Sequence, residues 1–170
     1  ESKEYSRIAL SIIINDIVNA VNTSNFKSKF RMMKASHFAG KAINIAKTTL
    51  PHALSYTMTI KYGIPHGHAV SLTLGDILDY NSKITPGTCN DRRGWKYVKR
   101  IIKSILSIMG CSTPQNAKNK LKNIMEQIEL ETDTEKMGID MGEVINNVNY
   151  ERMKNNPRYV NEDILRTLFL

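Results

Sequence analysis

The apolar residues of this chain recur at intervals of three and four from one end to the other, which is the spacing that one face of an α-helix buries. In "SRIALSIIINDIVNAV", Ile8, Ile12 and Ile13 fall near one face, and Ile17, Ala20 and Val21 continue it. In "KFRMMKASHFAGKAINIAK", Phe30, Met33, Phe38, Ala42 and Ala46 do the same, and the small Ala35, Ala39, Gly40 and Ala42 predict close packing against a neighbour. A third helix is predicted from about Pro51 to Tyr62, and a fourth from near His66 to "DYNS". "KITPGTCNDRR" is a loop by its Pro, Gly and Asn content. "GWKYVKRIIKSILSIMG" and "TPQNAKNKLKNIMEQI" supply two more helices, the second with Ser112 or Thr113 placed to cap it and Pro114 at its first position. In the tail "NPRYVNEDILRTLF", one element stops at Pro157 and another restarts behind Asn161 with acids in its first turn. No segment shows the two-residue alternation of a strand, and none repeats. The expected fold is an all-α helical bundle, one domain over residues 1–170.

Composition narrows the partners. No run of about 18 apolar residues exists to cross a bilayer, so no membrane partner is expected. Cys89 and Cys111 fit neither a disulfide framework nor a CxxC metal knuckle. Two reduced thiols and the lack of a cleavable leader suit the cytoplasm. The net charge of +8 raises a nucleic-acid partner. The abundance of Lys, Asn and Ile accounts for the charge more simply, and the lysines do not alternate with exposed aromatics as a stacking platform requires. No nucleic-acid partner is therefore expected. No Gly-rich phosphate loop follows a strand, so a nucleotide would have to be held outside these residues. Residue 1 is a glutamate, which points to processing or to a piece of a longer chain.

The dense chemistry lies in "TTLPHALSYTMTIKYGIPHGHAVSLTLGDILDYN", which holds three of the four histidines. His52 and His66 each follow a proline that marks the opening of a helix. A helix from His52 to about Ile60 is roughly 12 Å long. The residues from Lys61 to Pro65 can span about 17 Å, enough to return beside it. The pair can therefore converge on one metal ion. His68, two residues beyond His66, faces the other way on a helix, and His37 reads as an ordinary helical surface or core residue. Tyr56, one turn after His52, sits at the rim. Two imidazoles leave a divalent ion short of ligands, and Asp76 and Asp79 lie too far along the fourth helix to join His66.

"ASHFAGKAINIAKTTLPHALSYTMTIKYGIPHGHAVSLTLGDILDYN" resembles the metal-binding part of the iron-containing (group III) alcohol dehydrogenases. The likeness continues through "CNDRRG" and "VNYERMKNNPRYVNEDILRTLF". It implies a helical C-terminal domain of the dehydroquinate synthase-like type, standing behind a nucleotide-binding domain that this chain does not contain. His52 and His66 match the family's last two metal ligands; its first two, an aspartate and usually a histidine, lie before the point where this chain begins. Tyr56 stands where many relatives carry another active-site histidine, so no acid/base role carries over to it. "KTTLPHALSY" and "GIPHGHAVSLTLG" are most similar to the phosphonoacetaldehyde reductase branch.

The resemblance implies a divalent metal, iron(II) or zinc, acting as a Lewis acid on an aldehyde, with hydride from NAD(P)H. The substrate would be a small aldehyde, phosphonoacetaldehyde giving 2-hydroxyethylphosphonate, and a homodimer is compatible because relatives are commonly dimers or larger. Lys47, with the hydroxyls of Thr48 and Thr49 and the start of the third helix, offers a setting for the phosphonate. The same residues could instead end the second helix and cap the third. Lacking ligands and a nucleotide domain, the chain alone is expected to reduce nothing. The alternatives are a helical binding or structural module without activity of its own, and a basic nucleic-acid-binding bundle.

Overall fold

A computed structural model describes residues 1–170 as helices joined by short connections, without strands. The predicted all-α bundle is what forms. Helices α1 (Ser2–Asn22) and α2 (Phe26–Ile45) make an antiparallel hairpin. Asn25 caps α2 by accepting from the Ser28 amide at 3.0 Å, and the Ser2 hydroxyl donates to the Ala42 carbonyl at the hairpin's open end. Ala9 and Ile12 of α1 and Ala35 and Ala42 of α2 are buried, so two of the four small residues do set a close helix pair, while Ala39 is only partly buried and Gly40 is exposed with open space around it.

Of the larger residues expected on the same stripe, Phe38 is partly buried against Tyr5 of α1, but two others are not covered. Phe30 is 57% exposed and Met33 71%. At ~100° per residue, Met33 lies about 160° around the helix from Ala35 and Phe30 about 140°. Helix α1 covers the alanine side and Phe38, and leaves Phe30 and Met33 open. Val21 is likewise exposed, at the end of α1.

Helices α3 (Leu50–Tyr62) and α4 (His66–Ser82) form the second hairpin and carry the main core. Leu50, Leu54 and Met58 from α3 and Ala69, Ile77 and Tyr80 from α4 pack with Val144, Ile145 and Leu165 from the chain's last third. Spacings of four along α3 leave His52, Tyr56 and Ile60 on the opposite, open side. Gly63 ends α3 with φ +68°, a left-handed conformation glycine adopts without Cβ strain. That turn lets α4 begin only four residues after α3 ends.

Helices α5 (Trp95–Ile108) and α6 (Pro114–Gln127) close a second cluster around Ile84, Val98, Ile102, Met109 and Ala117. Of the two candidate caps, Thr113 holds the Asn116 amide at 3.1 Å, while Ser112 accepts from the Asn116 side chain. Helix α6 approaches α4 so closely that a Cβ on Gly75 would stand 2.9 Å from Lys118 Cγ. At the start of α5, Lys96 and Lys99 lie over the Trp95 ring and Arg93 and Arg100 over Tyr97, so the chain's own cations cover these partly buried rings.

Three short helices finish the chain: α7 (Met141–Asn146), α8 (Tyr150–Met153) and α9 (Glu162–Phe169). Asn161 caps α9 as predicted, accepting from the Ile164 amide at 3.0 Å. Helix α8 stops at Met153, short of Pro157, where the element was expected to end. The two motifs "CNDRRG" and "NNPRY" meet: Cys89 and Arg158 form an isolated antiparallel bridge, and the buried Asn156 exchanges amide hydrogen bonds with Asn81 at 2.8 and 3.1 Å. A fully satisfied buried amide pair of this kind fixes the tail in one register on α4.

Candidate metal and substrate site

The α3–α4 hairpin brings His52 and His66 together with ring centroids 5.3 Å apart and planes inclined at 66°. Two imidazoles bonded to one ion at ~2.1 Å, at angles between right and tetrahedral, put their centroids roughly 4.6–5.4 Å apart. The pair fits shared ligation. No third His, Cys, Asp or Glu side chain completes a set with them. Asp76 is tied to Lys118, and Asp79 to Lys83 at 2.7 Å, so neither turns toward the histidines. Two ligands are what this chain can offer.

The environment readies both rings. Burial, with the neighbouring His66 adding to it, holds the pKa of His52 below the usual histidine value. His52 is therefore neutral at neutral pH, the form that binds metal. The sign is clear: a depressed histidine pKa contributes stability above the unfolded value near 6.5, and that contribution fades as the pH falls below it.

The second device is Ser55, buried one turn beyond His52. Its single hydroxyl proton goes to the His52 carbonyl at 2.9 Å. At its 3.3 Å contact with His66 Nδ1 it must then accept, which places the proton on Nδ1 and leaves the Nε2 lone pair free. Ser55 escaped the sequence reading, and only its position three residues after His52 could have signalled it. Ser55→Ala is expected to lower metal affinity by about 10- to 100-fold with little change in helix content. Competition with a chromogenic chelator measures it, and unchanged affinity would remove Ser55 from this role.

The other histidines stand apart, as their positions predict. His68 Nε2 donates to the Glu131 carbonyl at 2.7 Å and pins α4 to the segment after α6. His37 is exposed on α2, edge-on to Phe38. Tyr56 does take the rim, its ring 5.7 Å from that of His66. Unforeseen in the sequence, Arg152 of α8 covers Tyr56, with its guanidinium 4.4 Å over the ring and Nη1 donating to the hydroxyl.

Lys47, Thr48 and Thr49 line an open cleft of about 310 Å³ together with His52. The plainer roles weighed for them are seen in part: Lys47 directly follows the Ala46 C-cap of α2, and Thr49 is the N-cap residue of α3, though its side chain makes no capping hydrogen bond.

The Fe-containing alcohol dehydrogenase family model, C-terminal part, matches residues 4–169. The chain belongs to this family. It is 32% identical over 142 residues to the phosphonoacetaldehyde reductase of Streptomyces viridochromogenes, covering 83% of the chain and 35% of that protein. The sulfoacetaldehyde reductase of Bifidobacterium kashiwanohense, solved in complex with NAD+, superposes with a TM-score of 0.81 at 22% identity, over 99% of this chain and 42% of that one. An archaeal halo-thermophilic Red Sea brine pool alcohol dehydrogenase gives 0.82 at 19% identity, with 99% and 43% covered. The chain thus spans about a third of its curated relative and less than half of the solved ones. The fold is that of the matched part of these enzymes.

Proposed function

We propose that the chain is the metal- and substrate-holding part of a nicotinamide-dependent reductase of a small aldehyde carrying an oxyanion, with phosphonoacetaldehyde the best-supported substrate. One observation carries the reading: the converged pair His52 and His66 lies where His52 opens onto the cleft that also holds Lys47, Thr48 and Thr49. Similarity to a phosphonoacetaldehyde reductase supports the choice of substrate.

A divalent metal, iron(II) or zinc, bound there supplies Lewis acidity toward the aldehyde oxygen. Every other contribution comes from this chain's own side chains. His52 and His66 are the nitrogen ligands, and Ser55 orients the second of them. Lys47 offsets the charge of the oxyanion, Thr48 and Thr49 offer hydroxyls to it, and Tyr56 bounds the site on the His66 side. The remaining ligands and most of the NAD(P) contacts belong to a part of the protein outside these residues, so the 170-residue chain alone binds metal weakly and reduces no aldehyde.

The test is a substrate comparison in the full-length enzyme. Lys47→Ala should raise the KM for phosphonoacetaldehyde about tenfold while changing that for an uncharged aldehyde of similar size far less. Equal losses on both would make Lys47 structural.

A further inference from the structure

We infer that Arg152 is the residue that grips the oxyanion of the substrate, and that Tyr56 is there to hold Arg152 in place. The inference rests on the reductase reading above and adds to Lys47, Thr48 and Thr49, which line the cleft on the His52 side, a geometrically fixed anion contact on the His66 side.

The observations start with charge. Arg7, Arg31, Arg93 and Arg166 each pair with a carboxylate, at 2.8, 2.7, 2.7 and 2.8 Å. Arg152, like Arg92, Arg100 and Arg158, has no carboxylate partner, but it alone of these stands beside the histidine pair. Its neighbour Glu151 is taken by Lys154 at 2.6 Å. Yet the guanidinium is not loose: it stacks on Tyr56 at 4.4 Å and donates one N–H to the Tyr56 hydroxyl. Its other side-chain donors have no partner within the chain. A fixed, un-neutralised guanidinium presents a planar fork of donors, the geometry that suits a tetrahedral oxyanion in a bidentate contact.

Position supplies the second half. The Tyr56 ring lies 5.7 Å from the ring of His66 and 4.4 Å from the Arg152 guanidinium, so all three groups are neighbours. An extended two-carbon aldehyde bearing a phosphonate or sulfonate, with one hydrogen bond added at its anionic end, spans roughly 8 Å, a reach that bridges one ring. The backbone under Arg152 is held too. Asn149 caps α8 by accepting from the Arg152 amide at 3.2 Å, and the Asn81–Asn156 pair anchors the segment that follows. Lys47 and Arg152 are both exposed, but Lys47 stands in a connector with no side-chain partner and contributes charge without a fixed geometry.

The experiment uses the full-length enzyme with three aldehydes: phosphonoacetaldehyde, sulfoacetaldehyde and 3,3-dimethylbutanal, a neutral compound of the same branched shape. Arg152→Ala should cut kcat/KM on the preferred oxyanion aldehyde by ~30-fold or more, mainly through KM, against a few-fold on the neutral one. Millimolar guanidinium should restore part of the loss, and Arg152→Lys should fall between wild type and Arg152→Ala. Tyr56→Phe, which keeps the stack and loses the hydrogen bond, should cost several-fold more on the oxyanion aldehyde than on the neutral one. The anion with the higher wild-type kcat/KM identifies the substrate as phosphonate or sulfonate.

A second arm needs no turnover: calorimetric binding of 2-hydroxyethylphosphonate to metal-free protein should weaken about tenfold in Arg152→Ala. Equal losses on charged and neutral aldehydes, or unchanged phosphonate binding, would overturn the assignment. A wild type that reduces neutral aldehydes and neither oxyanion would overturn it while leaving the reductase reading intact. A wild type that reduces nothing but binds the phosphonate through Arg152 would uphold the receptor and sink that reading.

Discussion

Replacing His66 with alanine in the full-length enzyme should abolish metal-dependent aldehyde reduction and weaken metal binding by more than ~100-fold, beyond what loss of a supporting hydrogen bond costs. His52→Ala should do the same. Neither change should unfold the protein: His66 is exposed, and a surface substitution away from the core typically shifts stability within about 0.5 kcal/mol. The contrast is His68→Ala. It removes a bond to the Glu131 carbonyl and nothing from the site, so metal content should stay at the wild-type level. Metal analysis of the purified variants, with circular dichroism as the folding check, decides the matter. Full metal occupancy in His66→Ala would remove the histidine pair from the metal site.

Leu54→Ala should destabilise the fold by about 2–5 kcal/mol. Leu54 has no exposed surface and stands in the core formed by α3, α4 and the end of the chain. Truncation there leaves a cavity between elements that meet only because that core is filled. Denaturant titration should show a lower midpoint at an unchanged slope, the mark of lost stability without a change in the surface exposed on unfolding. Because Leu54 shares a helical turn with His52 and Ser55, the same change should loosen the site. A loss below about 1 kcal/mol would mean that the α3 face is not packed as described.

Periodicity set the number and type of the long helices, because helical spacing is a local property written into consecutive residues. The limits of α3 and α4, from Leu50 to Tyr62 and from His66 to Ser82, were legible in Pro51, Gly63, Pro65 and the apolar spacing between them. The separation of His66 from His68 was legible too, since the two face apart on any helix. The short α7 was not, for a six-residue helix has too few turns to display a period. Nor was the exposure of Phe30 and Met33: a sequence shows that a residue is apolar, but only packing shows whether a neighbour covers it.

The site divides along the same line. The sequence by itself determined which imidazoles are available, that they open two successive helices, and that His52, Tyr56 and the Lys47–Thr49 connector lie within a few residues of one another. Tertiary structure alone decided that the two rings close to 5.3 Å, that Ser55 turns its oxygen to His66, and that Arg152 arrives over Tyr56 from 96 residues away. The physical reason is range. Helix period and caps are fixed by neighbours within about four residues. A contact across α8 and α3 is fixed by the Gly63 turn, the filled core and the Asn81–Asn156 clamp acting together, none of which a single window of sequence contains.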